Sequence, residues 1–121
     1  MNVNKQTGFK GEDIAANFLE KNGYKILYRN WLHKHKEIDI IAKTNNELII
    51  VEVKTRALGS LISPLEAVNM KKQRLIIEAA NAFIEKHNVN LETRFDIVTI
   101  VYSNGKCDIE HIENAFYPRM K

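Results

Sequence analysis

The stretch Lys36–Arg56 reads KEIDIIAKTNNELIIVEVKTR. It is two apolar runs joined by Asn45-Asn46, residues that tolerate positive φ in tight turns. The alternation of each run predicts a strand, Glu37–Lys43 and Glu47–Thr55, and the turn makes them a hairpin. Asp39, Glu52 and Lys54 interrupt the apolar pattern. Charged groups are costly within such strands unless they pair or bind something.

Side chains alternate along a strand. Glu37, Asp39 and Ile41 are therefore expected on one face, and Ile38, Ile40 and Ala42 on the other. On the next strand Leu48, Ile50, Glu52 and Lys54 share a face opposite Ile49, Val51 and Val53. A two-residue turn places Ile41 across from Ile50, Asp39 across from Glu52 and Glu37 across from Lys54. Opposed residues have Cβ atoms roughly 5 Å apart, so two carboxylates are forced together. They repel unless one is protonated or a cation lies between them. A hard divalent ion such as Mg²⁺ or Mn²⁺ takes such oxygen ligands. Lys54 then stands beside the acids, where an ammonium can hold a water or stabilise developing negative charge. A purely structural ladder of Asp39, Glu52, Lys54 and Glu37 is the competing reading.

Working outward, residues 8–22 have helical apolar spacing through Ile14, Ala15, Phe18 and Leu19, and Gly23 ends the helix. Glu12 falls at one edge of that apolar arc, as a third carboxylate for the site or as a cap of its own helix. Tyr24–His33 is expected as a strand. Ser63-Pro64-Leu65-Glu66 is a capping box that opens a helix expected to run to about His87. Arg94–Tyr102 and Cys107–Ile112 are the last two strands. The whole is a single α/β domain over residues 1–121, with residues 1–7 and 114–121 expected as loose tails. Its order is α-β-β-β-α-β-β, a mixed five-stranded sheet flanked by helices.

The chain carries 18 Lys/Arg against 15 Asp/Glu. Residues 1–60 hold ten basic and seven acidic side chains, and residues 61–121 hold eight of each, so the excess lies in the half with the hairpin. That distribution fits a polyanion partner. The N-terminal sequence has no apolar signal segment, no apolar run is of membrane length, and Cys107 is the sole cysteine. The expected location is the cytoplasm, without membrane association.

At Asp39, Glu52-Val53-Lys54 and the upstream Glu12 the chain resembles the PD-(D/E)XK nuclease superfamily, with its restriction-endonuclease-like fold. It is similar to archaeal Holliday-junction resolvases, and over roughly residues 8–100 it resembles the YraN-like bacterial family. The matching pieces are Gly11-Glu12 with Ala15, Gly23-Tyr24, Arg29-Asn30-Trp31, Glu37-Ile38-Asp39, Val51-Glu52-Val53-Lys54-Thr55-Arg56, Ser63-Pro64 with Glu66-Ala67-Val68, Lys72-Gln73-Arg74-Leu75 and Phe95-Asp96.

The resemblance implies a metal-dependent endonuclease acting on DNA, including branched or single-stranded forms. Asp39, Glu52 and Glu12 would bind Mg²⁺ or Mn²⁺, Lys54 would assist the attacking water, and a homodimer would be one form of assembly. A non-catalytic nucleic-acid-binding module, or a subunit active only with a partner, is the alternative. Lys34, Lys36, Arg56, Lys72 and Gln73 are candidates for contact with nucleic acid, each with a bland alternative as a solvated or structural residue. Asp96 reads as a structural partner. The chain departs from the family pattern at Lys36, where Gly is usual, and at Leu32, where Arg is common.

Overall fold

A computed structural model describes the backbone of residues 3–118 and the side chains of residues 11–118. The elements are α1 (Val3–Lys21), β1 (Lys25–His33), β2 (Lys36–Lys43), β3 (Glu47–Ala57), α2 (Pro64–Ala67), α3 (Met70–His87), β4 (Glu92–Ser103) and β5 (Lys106–Phe116). The strands form one mixed sheet in the order β1-β2-β3-β4-β5. Only β3 and β4 run parallel, joined through α2 and α3, and the other neighbours are antiparallel. The expected α/β architecture and element order are therefore present. Among the described residues no helix is long and apolar enough to cross a membrane.

The sheet is covered on both faces, each with its own core. Ala15, Ala16 and Leu19 of α1 pack on Ile40, Ala42, Ile49, Val51, Val98 and Ile100. Ile76, Ala79, Ala80 and Phe83 of α3 pack on Ile38, Ile41, Leu48, Ile50, Phe95 and Ile97. The two-residue turn closes as expected: Thr44 N–H donates to Glu47 O at 2.9 Å, and Glu47 N–H donates to Thr44 Oγ1 at 3.2 Å. It sets the expected register, Ile41↔Ile50.

Three boundaries differ from the sequence reading. α1 runs back to Val3, through residues expected as a tail. The single long helix is two, because Asn69 caps a fresh start: its side chain accepts from Lys72 N–H at 3.0 Å while Val68 leaves helical geometry. β5 extends to Phe116, well into the segment expected to be loose. There the Asp96 carboxylate accepts from Asn114 N–H at 2.9 Å, and Phe116 is buried opposite Phe95. Residues 1–2 and 119–121 of the expected tails lie outside the described residues.

Asp96 has the structural role expected of it. It is 0% exposed and takes Arg94 at 2.9 and 2.7 Å, His111 Nε2 at 2.7 Å and the Asn114 N–H. Arg94 in turn reaches Tyr24 Oη at 2.6 Å and Glu47 at 3.2 Å. Burial alone would raise the Asp96 pKa, but the hydrogen bonds from His111, Arg94 and Asn114 outweigh it and hold the carboxyl below its ordinary value. Removing the acid takes from the Arg94 guanidinium its two-point partner and leaves it Glu47, Glu113 and the Tyr24 hydroxyl, and it deprives His111 and the Asn114 N–H of their acceptor. Asp96→Ala is expected to cost about 3 kcal/mol of stability in urea unfolding, and a loss within about 0.5 kcal/mol would refute this role.

Candidate metal-binding site

The site forms where the β2–β3 ladder opens. The ladder runs from Lys43↔Leu48 to Ile40↔Val51 and ends one pair short of Asp39 and Glu52. Beyond that point Val53 N–H faces β2 without a backbone carbonyl. The Asp39 carboxylate takes it instead, Oδ2 accepting at 2.8 Å. The expected opposition of Asp39 and Glu52 is thus corrected: they are not a ladder pair but flank the opening between two diverging strands.

The face assignment in β2 is corrected as well. Ile38 packs with Ile41 in the α3-side core, whereas Ile40 and Ala42 belong to the α1-side core. Strict alternation would have put Ile38 with Ile40. The neighbouring strand shows the same break. Tyr28 and Trp31 of β1 both meet Phe83 of α3, at ring-centroid distances of 5.5 and 5.3 Å. Between them Arg29 and Asn30 both turn to α1: Arg29 pairs with Asp13 at 2.8 Å and Asn30 Nδ2 donates to Glu12 Oε1 at 2.9 Å. Asn30 has φ 54°, a left-handed backbone in mid-strand, and this inverts the faces while Arg29↔Ile40 and Trp31↔Ile38 stay in register.

The inversion gathers acids on the α1 side. Glu12, Glu37 and Asp39 each offer a carboxylate oxygen, and these lie within 4.8 Å of one another. Glu12 is brought in by Gly11, which is buried against the sheet. A Cβ on Gly11 would come to 2.6 Å from Thr55 Oγ1, so the missing side chain lets α1 approach β3 just before the acid. Glu37 does not oppose Lys54 as expected. It accepts from Asn30 Nδ2 at 2.9 Å instead.

Glu52 comes from the other side. β3 keeps strict alternation, and Glu52 pairs with Ile97 of the α3-side core. It is 6% exposed, and its Oε2 has Lys36 Nζ and Lys54 Nζ each at 3.5 Å. Burial raises the Asp39 pKa first, and the nearby charges of Glu52 and Glu12 raise it further. The Val53 N–H bond and Lys36 oppose the rise, and the net value is about 7, against 3.8 ordinarily.

Glu12, Glu37 and Asp39 supply only oxygen donors, Glu12 and Asp39 half-buried and Glu37 exposed, and a cation among them would oppose the rise of the Asp39 pKa to about 7. That donor chemistry fits Mg²⁺ or Mn²⁺. Of the expected ligands, Asp39 and Glu12 join Glu37 in one group on the α1 side, whereas Glu52 lies on the α3 side with Lys54, near enough for its charge to raise the Asp39 pKa.

The other expected residues are dispersed. Lys36 is at the site on Glu52. Lys34 pairs with Glu78 of α3 at 3.3 Å. Arg56 pairs with Glu110 of β5 at 3.1 Å, and its buried Nε has no protein partner. Lys72 is exposed, with Nζ 3.4 Å from Ala67 O. Gln73 is buried and donates to Val68 O at 2.9 Å, so its amide supports the α2–α3 joint and not the carboxylates. Asn30 and Glu37 are site residues that the sequence reading did not assign. The available signal for Asn30 was an αL-tolerant residue inside an otherwise apolar and aromatic strand.

Known proteins resemble this one over nearly the whole chain. A UPF0102 protein of Parabacteroides distasonis is 48% identical over 110 residues, covering 91% of each chain. One from Bacteroides thetaiotaomicron is 42% identical over 118 residues, covering 98% of each. One from Flavobacterium johnsoniae is 45% identical over 121 aligned residues, covering 97% of this chain and 98% of the relative. The model of the family described as "Uncharacterised protein family UPF0102" matches residues 11–100, which span the site from Gly11 through Arg56, and the chain belongs to that family.

Proposed function

We propose that this protein is a Mg²⁺- or Mn²⁺-dependent endonuclease that hydrolyses phosphodiester bonds in DNA. The observation that carries the reading is the group of Glu12, Glu37 and Asp39 within 4.8 Å at the opening of the β2–β3 ladder, with Glu52 and its partners Lys36 and Lys54 across the opening from Asp39. A structural ion-pair ladder would pair each acid with a cation, whereas among the described residues Glu12, Glu37 and Asp39 are held by an amide and a backbone N–H instead.

Asp39, Glu52 and Glu12 would hold the ion, which when bound supplies charge neutralisation for the scissile phosphate. The chain's own groups do the rest. Asp39 is fixed by the Val53 N–H, so its free oxygen keeps one direction. Lys54 is three-quarters buried, with Nζ at Glu52. From there it can hold the attacking water against the phosphate and stabilise the charge that develops on the phosphoryl oxygens. Lys36 adds a second ammonium at the same acid, which would contact a backbone phosphate. The basic excess of residues 1–60 supplies a longer-range attraction for DNA, screened by salt.

A panel of duplex, single-stranded, flap and four-way-junction DNA with Mg²⁺, Mn²⁺ or EDTA tests the reading. Asp39→Ala, Glu52→Ala and Lys54→Ala are each expected to lower cleavage about 100-fold or more while the proteins still unfold cooperatively. Equal cleavage by wild type and Glu52→Ala would assign the activity to a contaminant. DNA binding without cleavage by wild type in any metal would favour a binding module.

Asp39 also predicts a pH dependence. Its folded pKa of about 7 lies above the ordinary 3.8. Between those values the folded state binds a proton that the unfolded chain has released, so the metal-free stability contributed by this group falls as pH rises through about 7. A divalent ion competes with that proton. The rise in melting temperature on adding Mn²⁺ is therefore expected to be larger at about pH 8 than at about pH 5.5. A Mn²⁺ effect of equal size at both pH values would count against Asp39 as a ligand.

A further inference from the structure

Asn30 combines two features that neither burial nor strand propensity explains. It adopts φ 54° in the middle of β1 without being glycine. Its single amide nitrogen also donates to two carboxylates from different elements, Glu12 Oε1 of α1 and Glu37 Oε1 of β2, each at 2.9 Å. A side chain in ordinary strand geometry would alternate with Arg29 and point towards α3. The left-handed backbone turns it to α1 with Arg29. A strained conformation maintained beside a cluster of acids is a marker of function.

We infer that Asn30 is a positioning residue that holds Glu12 and Glu37 in place beside Asp39 for divalent-cation binding. This inference rests on the metal-dependent reading above. An amide offers two N–H donors and carries no charge. It can therefore tether two carboxylates without neutralising them, leaving their remaining lone pairs free for a metal. A lysine or arginine in the same place would compete with the ion. The carbonyl end of the amide also gives Asn its tolerance of αL geometry, so one residue supplies both the backbone turn and the donor. Removing such a support lowers metal affinity about 10- to 100-fold in metalloproteins generally.

The two roles separate by substitution. Asn30→Gly keeps the left-handed backbone accessible and deletes the amide, whereas Asn30→Ala loses both. The measurement is Mn²⁺ titration of the folded full-length proteins by calorimetry, with thermal unfolding in EDTA alongside. Asn30→Gly is expected to unfold cooperatively in EDTA and to bind Mn²⁺ at least about tenfold more weakly than wild type. Asn30→Ala is expected to be weaker in Mn²⁺ binding and to melt below Asn30→Gly. Wild-type affinity in Asn30→Gly would overturn the positioning role while leaving the metal site intact. No Mn²⁺ binding by wild type would overturn the metal reading itself, and this inference with it. Should Asn30→Gly fail to fold, Glu37→Gln, which removes one tethered acid from an exposed position, is expected to weaken Mn²⁺ binding. Unchanged binding there would equally overturn the proposal.

Discussion

One backbone N–H governs the site. Val53 lies on β3 where its antiparallel partner has begun to diverge, and the Asp39 carboxylate replaces the missing carbonyl at 2.8 Å. A buried N–H left unpaired would destabilise the strand, so the carboxylate both permits the opening and is fixed by it. Past Val51, β3 keeps its parallel pairing to β4 through Ala57. The opening therefore costs the sheet nothing on its other side. A rigid strand carries Glu52 and Lys54, and the space beside it is vacated by β2.

The divergence is set one strand further out. Asn30 inverts the faces of β1, and β2 follows because its register to β1 is preserved. Two consecutive residues on each strand then face α1, and Glu12, delivered by the close approach at Gly11, meets Glu37 and Asp39. Had alternation been kept, Asp39 would have lain on the α3 side with Ile41. Glu12, on the opposite face, could not have joined it. The inversion at Asn30 uses the αL tolerance of asparagine to aim side chains, whereas Asn45 and Asn46 close the hairpin without a positive φ.

This contrast explains what could be read from the sequence. The hairpin, its register and the Glu52-Val53-Lys54 segment follow from local rules: period-two patterning and turn chemistry, with few residues involved. The face inversion depends on a left-handed residue whose partners come from α1 and β2, so no window of β1 contains the cause. The extension of β5 to Phe116 likewise depends on Asp96, 18 residues earlier, capturing Asn114 N–H. The break at Asn69 is local and has a recognisable cap, but Val68 continues the apolar spacing and conceals it. Lys36 was visible as a departure from the family pattern, but its contact with Glu52 requires knowing that the strands splay.

The two aspartates of the sheet act as internal controls for each other. Asp96 is wholly buried, yet Arg94, His111 and a backbone N–H give it a full complement of donors, and its pKa falls. Asp39 is less buried, has one backbone donor and faces Glu52 and Glu12, and its pKa rises. The chain is therefore able to build a complete cradle for a carboxylate and has not done so at Asp39. At the opening, Lys36 and Lys54 both serve Glu52, while Glu12 and Glu37 share a neutral amide. Among the described residues no ion pair is formed by Glu12, Glu37 or Asp39, and the two ammonium groups reach Glu52. Glu52, the buried one of the four acids, is not explained by stability alone, because apolar residues of similar volume fill buried positions at lower cost. The concentration of acids around one opening is the feature on which the proposed divalent-cation site rests.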